Sequence, residues 1–213
     1  TVAKLRNVPA ILPPDLAERY LALPDSVPQR VLDLAEEVAG EAETGYDQAH
    51  AIEFFLRTYT YTLDLPAPPT DQDLVDYFLF DLQQGYCDYY ASAMVVMARA
   101  VGAPARFATG YSQGEYDHEA GRWVVTEENG HSWVEVYFGD VGWVEFEPTA
   151  GFPEPARPGQ GPVELRVIPP LPPRSIPWLS RFGPVIVWVA SGISAAALVI
   201  AVWVWAFRRG RDM

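Results

Sequence analysis

The sequence contains a single cysteine, Cys87, among 213 residues. One cysteine excludes an internal disulfide framework and a CxxC metal site. Basic residues are also scarce, because 15 Lys and Arg stand against 28 Asp and Glu and the formal net charge is −13. Phosphate binding requires clustered basic side chains, so this balance argues against nucleic acid as a partner. A lone thiol suits a nucleophile, since no second cysteine can trap it in a disulfide.

Three motifs supply a thiol, an imidazole and a carboxylate in that order. Cys87 lies in GYCDYYASA, His131 in GHSWVEV and Glu147 in GWVEFEPT. This is the set needed for a cysteine nucleophile with a base and an orienting acid. A buried apolar cysteine is the commoner role for one cysteine taken alone. The neighbours Gly85 and Asp88 argue against such a core environment.

The spacing of apolar residues predicts helices in the first part of the chain and antiparallel strands in the second. The helices are expected at residues 15–23, 28–39, 47–59, 73–82 and 87–101. The strands are expected at residues 105–111, 122–126, 131–138 and 142–147. This order predicts an α+β domain. Cys87 would begin a helix, where unpaired N–H groups and the helix dipole favour a thiolate.

The last two predicted strands form a hairpin around Gly139–Val141. Alternate residues of a strand point to the same face, and the apolar faces of both strands must meet one core. With that constraint His131 and Glu147 lie on the same side of the hairpin, near its open end. The pattern therefore places a carboxylate where it can orient the imidazole.

The other two histidines are weaker candidates. His50 falls inside an amphipathic helix, and His118 falls in a polar segment expected to be a solvated turn. A metal site made of His118, His131 and Glu147 has no supporting ligand spacing. We therefore expect neither a metal nor a cofactor.

Residues 185–207 form a charge-free run of apolar character. At about 1.5 Å per residue the run spans roughly 34 Å, enough to cross a hydrocarbon core of about 30 Å. A buried globular helix is the alternative. Three arginines in the stub 208–213 predict that the stub is cytoplasmic and that the preceding domain lies outside.

The remaining segments complete the predicted domain organisation. Nine prolines lie between residues 152 and 177. Such a stretch tends to be extended, so residues 152–184 are expected to form a semi-rigid linker to the membrane, although a proline-rich ligand for a recognition module is an alternative. Residues 1–24 are expected to be a lead-in segment whose first 14 residues are irregular. Residues 25–151 are expected to form the catalytic domain.

The motifs around Cys87, His131 and Glu147 resemble those of the transglutaminase-like superfamily, in particular its bacterial membrane-anchored type. The resemblance is carried by DYFLF, GYCDYYASA, GAPAR, HSWVEVY and GWV, in that order along the chain. It implies a papain-like cysteine-protease fold with Cys87 as nucleophile, His131 as base and Glu147 as orienting acid. It also implies a core outside the cytoplasmic membrane. The family usually has Asp-Pro-Thr where this chain has Glu147-Pro148-Thr149.

The resemblance implies acyl transfer on protein or peptide carboxamide or amide groups through a cysteine thioester. Tyr86, Trp133 and Gln84 are the candidate substrate-binding residues, and Gln84 and Tyr86 are near enough in sequence to consider for the oxyanion hole. Two alternatives remain open: a cysteine peptidase or deamidase with the same triad, and a weakly active or inactive peptide-binding module. The expected partners are a protein or peptide substrate and the membrane.

Overall fold

The computed structural model describes residues 1–8 and 12–159. Within these residues the α-helices are α1 Val2–Arg6, α2 Pro14–Tyr20, α3 Gln29–Ala39, α4 Gly45–Leu56, α5 Leu74–Tyr77 and α6 Cys87–Ala100. A π-helical turn, Phe78–Leu82, continues α5. The strands are β1 Thr60–Tyr61, β2 Gln84–Gly85, β3 Ala105–Tyr111, β4 Glu115–Asp117, β5 Arg122–Val124, β6 Gly130–Phe138 and β7 Gly142–Phe146. The predicted α+β class is confirmed, with helices first and strands afterwards.

The main sheet has the antiparallel order β3-β6-β7, and α6 packs against β6. A short parallel pair, β1 and β2, holds the chain immediately before α6. The strands β4 and β5 form a separate hairpin, where the sequence predicted only a solvated turn before the second strand. A polar three-residue strand is too short for a two-residue periodicity to be visible.

The helix α6 begins at Cys87, as the sequence predicted. Tyr86 precedes it in an extended conformation and serves as the N-cap residue. Ala91, Met94 and Ala98 are fully buried in the core. Burial of a side chain the size of Met94 stabilises the fold by about 1.5–3 kcal/mol. The same packing fixes the end of α6 that carries the thiol.

The strands β6 and β7 alternate as predicted. Val134, Val136 and Phe138 are buried on the core face of β6, and Val134 is directly opposite Phe146. The strands are joined by a 3₁₀ turn over Gly139–Val141. The predicted hairpin and the predicted alternation of its faces are therefore confirmed.

The expectation that residues 1–14 are irregular is wrong. They contain α1, and its apolar residues Val2 and Leu5 are buried in the core. A helix of five residues is too short to display a helical period, so only the packing of its apolar pair reveals it. The predicted helix at 15–23 is present as α2 and is shorter.

The expected linker also begins differently from the prediction. The Arg157 side chain is only 5 % exposed, and the backbone N–H of Val2 donates to the carbonyl of Pro158 at 3.2 Å. Residues 152–158 therefore contact the domain instead of leaving it. The rest of the predicted linker, the predicted span at 185–207 and the stub at 208–213 lie outside the described residues. Among the residues described, no helix has the length and apolar character to cross a membrane.

Candidate active site

Cys87 opens onto a groove of about 620 Å³. Its thiol is half-buried at the first residue of α6. The groove lies between the start of α6, the ends of β3 and β6, the 3₁₀ turn Glu127–Asn129 and the end of β1 with the residues after it. Its lining consists of Tyr61, Leu63, Tyr86, Cys87, Asp88, Thr109, Gly110, Tyr111, Glu127, Glu128, Gly130, His131 and Ser132.

His131 and Glu147 form a buried pair beside this groove. Nε2 of His131 lies 2.6 Å from Oε2 of Glu147, and both residues are 7 % exposed. The predicted placement of the two side chains on the same side of the hairpin is confirmed. Nδ1 of His131 is buried and makes no hydrogen bond to any described residue. Because Nε2 is engaged by the carboxylate, Nδ1 is the nitrogen that can serve the thiol.

The surroundings of His131 favour its protonated form. Burial of the imidazole lowers its pKa, but the interactions with Cys87 and Glu147 outweigh this effect and raise the pKa to about 9. A histidine with its pKa in this range remains an imidazolium at neutral pH. The site therefore holds a proton on His131 that can be given to a leaving group.

Three backbone contacts hold Glu147. Its own N–H donates to Oε1 of Glu53 at 2.7 Å, and its carbonyl accepts from Arg57 at 2.7 Å. Its Oε1 accepts the N–H of Thr149 at 2.9 Å, while Oε2 faces His131. Both carboxylate oxygens are therefore occupied, and the backbone that carries them is fixed.

The support behind Glu147 is a buried ion pair. Arg157 donates to Glu53 at 3.2 and 3.3 Å, and the guanidinium lies 4.3 Å from the ring of Phe146. Burial raises the pKa of the Glu53 carboxyl, and the positive charge of Arg157 opposes this rise. Sequence reasoning missed both residues, because a glutamate in an amphipathic helix is most often on the surface and Arg157 was placed in the linker.

A second contact joins the start of α6 to β6. The hydroxyl of Ser132 donates to Oδ1 of Asp88 at 2.6 Å, and Sγ of Cys87 lies 3.8 Å from the same oxygen. Cys87 and His131 each adjoin one member of this pair in sequence. The hydrogen bond therefore ties the element that carries the thiol to the strand that carries the imidazole.

Two further aromatic residues surround the site. The ring of Phe152 stacks on His131, with centroids 4.0 Å apart and planes 9° apart. Tyr61 packs its edge against Phe152 at 5.9 Å. Burial raises the pKa of the Tyr61 phenol, and the nearby charge of Cys87 adds to the rise. Neither residue lies in a motif that carries the chemistry, so the sequence offered no signal for them.

The structure separates the three predicted substrate-binding residues. Tyr86 lines the groove with Cys87. Trp133 lines a second cavity of about 340 Å³ behind His131, with its ring 6.3 Å from the imidazole. Gln84 lies in β2 opposite Thr60 and is not part of the groove lining. Of these three, only Tyr86 is beside the thiol.

The other histidines lie in separate surroundings. His50 is 6 % exposed, and its ring packs 5.9 Å from Tyr46. His118 contacts Tyr116 at 5.0 Å on the β4–β5 hairpin. In residues 1–8 and 12–159 no three His, Cys, Asp or Glu side chains are placed to hold a metal ion.

The sequence of this domain is similar to that of known proteins. The sequence profile of the transglutaminase-like superfamily matches residues 32–148. The uncharacterized protein YebA of Bacillus subtilis (strain 168) is 47 % identical over 149 residues, which are 66 % of this chain and 20 % of YebA. A protein-glutamine gamma-glutamyltransferase of Pseudomonas aeruginosa is 38 % identical over 131 residues, which are 57 % of this chain and 19 % of that protein. The chain thus spans about a fifth of the length of these curated relatives.

A crystal structure shows the same fold. The periplasmic domain of TgpA from Pseudomonas aeruginosa superimposes with a TM-score of 0.59 at 33 % identity, covering 65 % of this chain and 48 % of that one. The predicted α+β papain-like fold is confirmed by this match. Since the superfamily profile covers more than half of the sequence and includes Cys87 and His131, the chain belongs to the transglutaminase-like superfamily.

Proposed function

We propose that this domain is a thiol acyltransferase that acts on glutamine-like carboxamides of proteins or peptides. The observation that carries the proposal is the placement of His131, which is bound to Glu147 through Nε2 and lines the same groove as Cys87. This arrangement supplies a nucleophile, a proton carrier and an orienting acid. The proposed roles are those that the sequence predicted for the three residues.

In the acylation step the thiolate of Cys87 attacks the carboxamide carbon. A C–S bond forms, the carbonyl becomes an oxyanion, and the C–N bond then breaks as His131 gives its proton to the leaving ammonia. Glu147 holds the imidazole in the orientation that this transfer requires. The backbone N–H of Cys87 is at the first position of α6, where no acceptor within the helix is available, and we assign it to the oxyanion hole.

In the second step a primary amine attacks the thioester. Its nitrogen forms a bond to the acyl carbon, the C–S bond breaks, and His131 takes the amine proton, so the imidazolium–thiolate pair is restored. Three carboxylates, Asp88, Glu127 and Glu128, line the groove, and its described lining contains no Lys or Arg. A negative groove concentrates cationic amines near the thioester, which supports an amine as the acceptor.

The relatives support the substrate class and the location that we propose. The Pseudomonas relative is a protein-glutamine gamma-glutamyltransferase, and the matching crystal structure is of a periplasmic domain. Together with the predicted span at 185–207, these support a catalytic domain that lies outside the cytoplasmic membrane and is anchored to it. Because α1 and Arg157 pack into this domain, we extend it beyond the predicted bounds 25–151 to include both. A cytoplasmic location of the domain in a protease-accessibility assay on intact cells would contradict this part of the proposal.

The proposal is tested by amine incorporation and by ammonia release. The purified chain is incubated with a glutamine-containing protein and a fluorescent primary amine, beside the Cys87→Ala variant. We expect covalent labelling and ammonia release with the unmodified chain and neither with Cys87→Ala. Ammonia release without labelling would indicate a deamidase, whereas cleavage of the acceptor protein would indicate a peptidase. Equal labelling with Cys87→Ala would overturn the nucleophile assignment.

A further inference from the structure

The ring of Phe152 lies almost parallel to the imidazole of His131, at a centroid distance of 4.0 Å. We propose that Phe152 is a positioning residue for His131: its ring holds the imidazole in the plane that joins Glu147 to the Cys87 groove and keeps water off the His131–Glu147 hydrogen bond. This inference rests on the proposed acyl-transfer function. A ring stacked on one face does not block the nitrogens of the imidazole, which lie in the plane of the ring. Nε2 can therefore bind Glu147 while Nδ1 remains accessible to the thiol.

The backbone that carries Phe152 is anchored on both sides of the turn. Arg57 donates to the carbonyls of Thr149 and Phe152 at 3.0 and 2.7 Å, and also to that of Glu147. Gly151 has a φ of +87°, which only glycine adopts readily, and this turn brings the chain back over the imidazole. One guanidinium therefore holds both the acid and the aromatic residue that contact His131.

The side chain of Phe152 is supported on its other side as well. Tyr61 meets it in an edge-to-face arrangement at 5.9 Å and 62°, a favourable geometry for two aromatic rings. Tyr61 itself lines the groove. Phe152 is thus in contact with the imidazole on one hand and with a residue of the substrate groove on the other.

The stack affects the chemistry in three ways. An imidazole that rotates about its bond to Cβ turns its nitrogens away from Glu147 and Cys87, and the wrong orientation of a catalytic histidine is costly. The face of an aromatic ring also attracts a cation, so it favours the imidazolium that protonates the leaving ammonia. Exclusion of water from the hydrogen bond strengthens it further, because the local dielectric is lower.

The test compares Phe152→Ala, Phe152→Leu and Phe152→Tyr with the unmodified chain. Phe107→Ala is the matched control, since Phe107 is an exposed phenylalanine on β3 that is not part of the groove lining. We expect Phe152→Ala and Phe152→Leu to lower amine incorporation by up to about a hundredfold, the scale of a misplaced catalytic group. Phe152→Tyr should keep most of the rate of the unmodified chain, and Phe107→Ala should leave the rate unchanged.

A second measurement does not depend on activity. The proton on Nε2 of His131 is followed by its low-field NMR signal, and its exchange with water is measured in each variant. We expect slow exchange in the unmodified chain and in Phe152→Tyr, and fast exchange in Phe152→Leu, with thermal melts confirming that each variant is folded. Equal exchange in the unmodified chain and Phe152→Leu would overturn the inference. Absence of transfer in the unmodified chain would contradict the proposed function alone.

Discussion

The backbone N–H of Thr149 donates a hydrogen bond of 2.9 Å to Oε1 of Glu147. This contact folds the longer side chain of Glu147 back towards its own motif, so that its other oxygen reaches His131 at 2.6 Å. The extra methylene of glutamate relative to aspartate is therefore accommodated locally. Its backbone is at the same time held by Glu53 and Arg57, which limits how far the motif can shift.

Glu147→Asp is expected to lower amine incorporation. The shorter side chain cannot both accept the N–H of Thr149 and reach Nε2 of His131 from a backbone that is fixed. A displacement on the order of 1 Å can cost up to about a hundredfold in rate. Steady-state kinetics with a fluorescent amine measure the effect, and an unchanged rate would show that the backbone adjusts.

Glu147→Gln is expected to change the pH dependence of the reaction. The pKa of His131 is about 9, so acylation should decline as pH rises through this value and the imidazolium is lost. The amide keeps the shape of Glu147 but removes its charge, so the declining limb should move to lower pH. Single-turnover ammonia release from pH 6 to 10 measures the declining limb in both proteins, and a limb at the same pH in Glu147→Gln would contradict the assignment.

The same pKa predicts how stability depends on pH. Folding raises the pKa of His131 from 6.5 to about 9, so the protonated pair stabilises the fold fully below about pH 6.5. That contribution is lost as pH rises through about 9. In thermal melts, the difference in Tm between pH 6 and pH 10 should therefore be smaller for Glu147→Gln than for the unmodified chain. An equal difference would contradict this linkage.

Removing one member of the buried Glu53–Arg157 pair should destabilise the domain strongly. Arg157→Met leaves the carboxylate of Glu53 buried without its partner, which typically costs about 3–5 kcal/mol of unfolding free energy. Arg6→Met is the matched control, because its pair with Asp47 is exposed and is worth about 1 kcal/mol or less. Urea denaturation measures both variants, and similar losses would contradict the buried role of Arg157.

The acidic groove predicts selectivity for the charge of the acceptor. Glu127→Gln with Glu128→Gln should raise the KM for a diamine by a few-fold and leave the KM for hydroxylamine, which is neutral at pH 7, unchanged. The difference in diamine KM between the unmodified chain and this double variant should become smaller as salt is added. At 0.15 M salt, charges more than about 8 Å apart are largely screened from each other. Glu119→Gln, on the β4–β5 hairpin outside the groove lining, is the control. Parallel changes for both acceptors would contradict the electrostatic explanation.

Local patterns in the sequence were sufficient for much of the site. The lone Cys87 at the start of a helix, and the parity of His131 and Glu147 on one hairpin, follow from the periods of 3.6 and 2 that neighbouring residues obey. The predicted hairpin, the shared side of His131 and Glu147, and the start of α6 are confirmed for this reason. The short helix α1 was missed, because five residues are too few to show a period.

The sequence by itself therefore determined the reactive groups, their order and the elements that carry them. Only the tertiary structure decided what surrounds them: Phe152 on the imidazole, the Ser132–Asp88 bond beside the thiol, and Arg157 against Glu53. Arg157 and Glu53 are 104 residues apart, and no local period relates them. A buried carboxylate without a partner is costly, and in the folded chain Arg157 pairs with Glu53. The composition of the segment that carries Arg157 indicates only a linker.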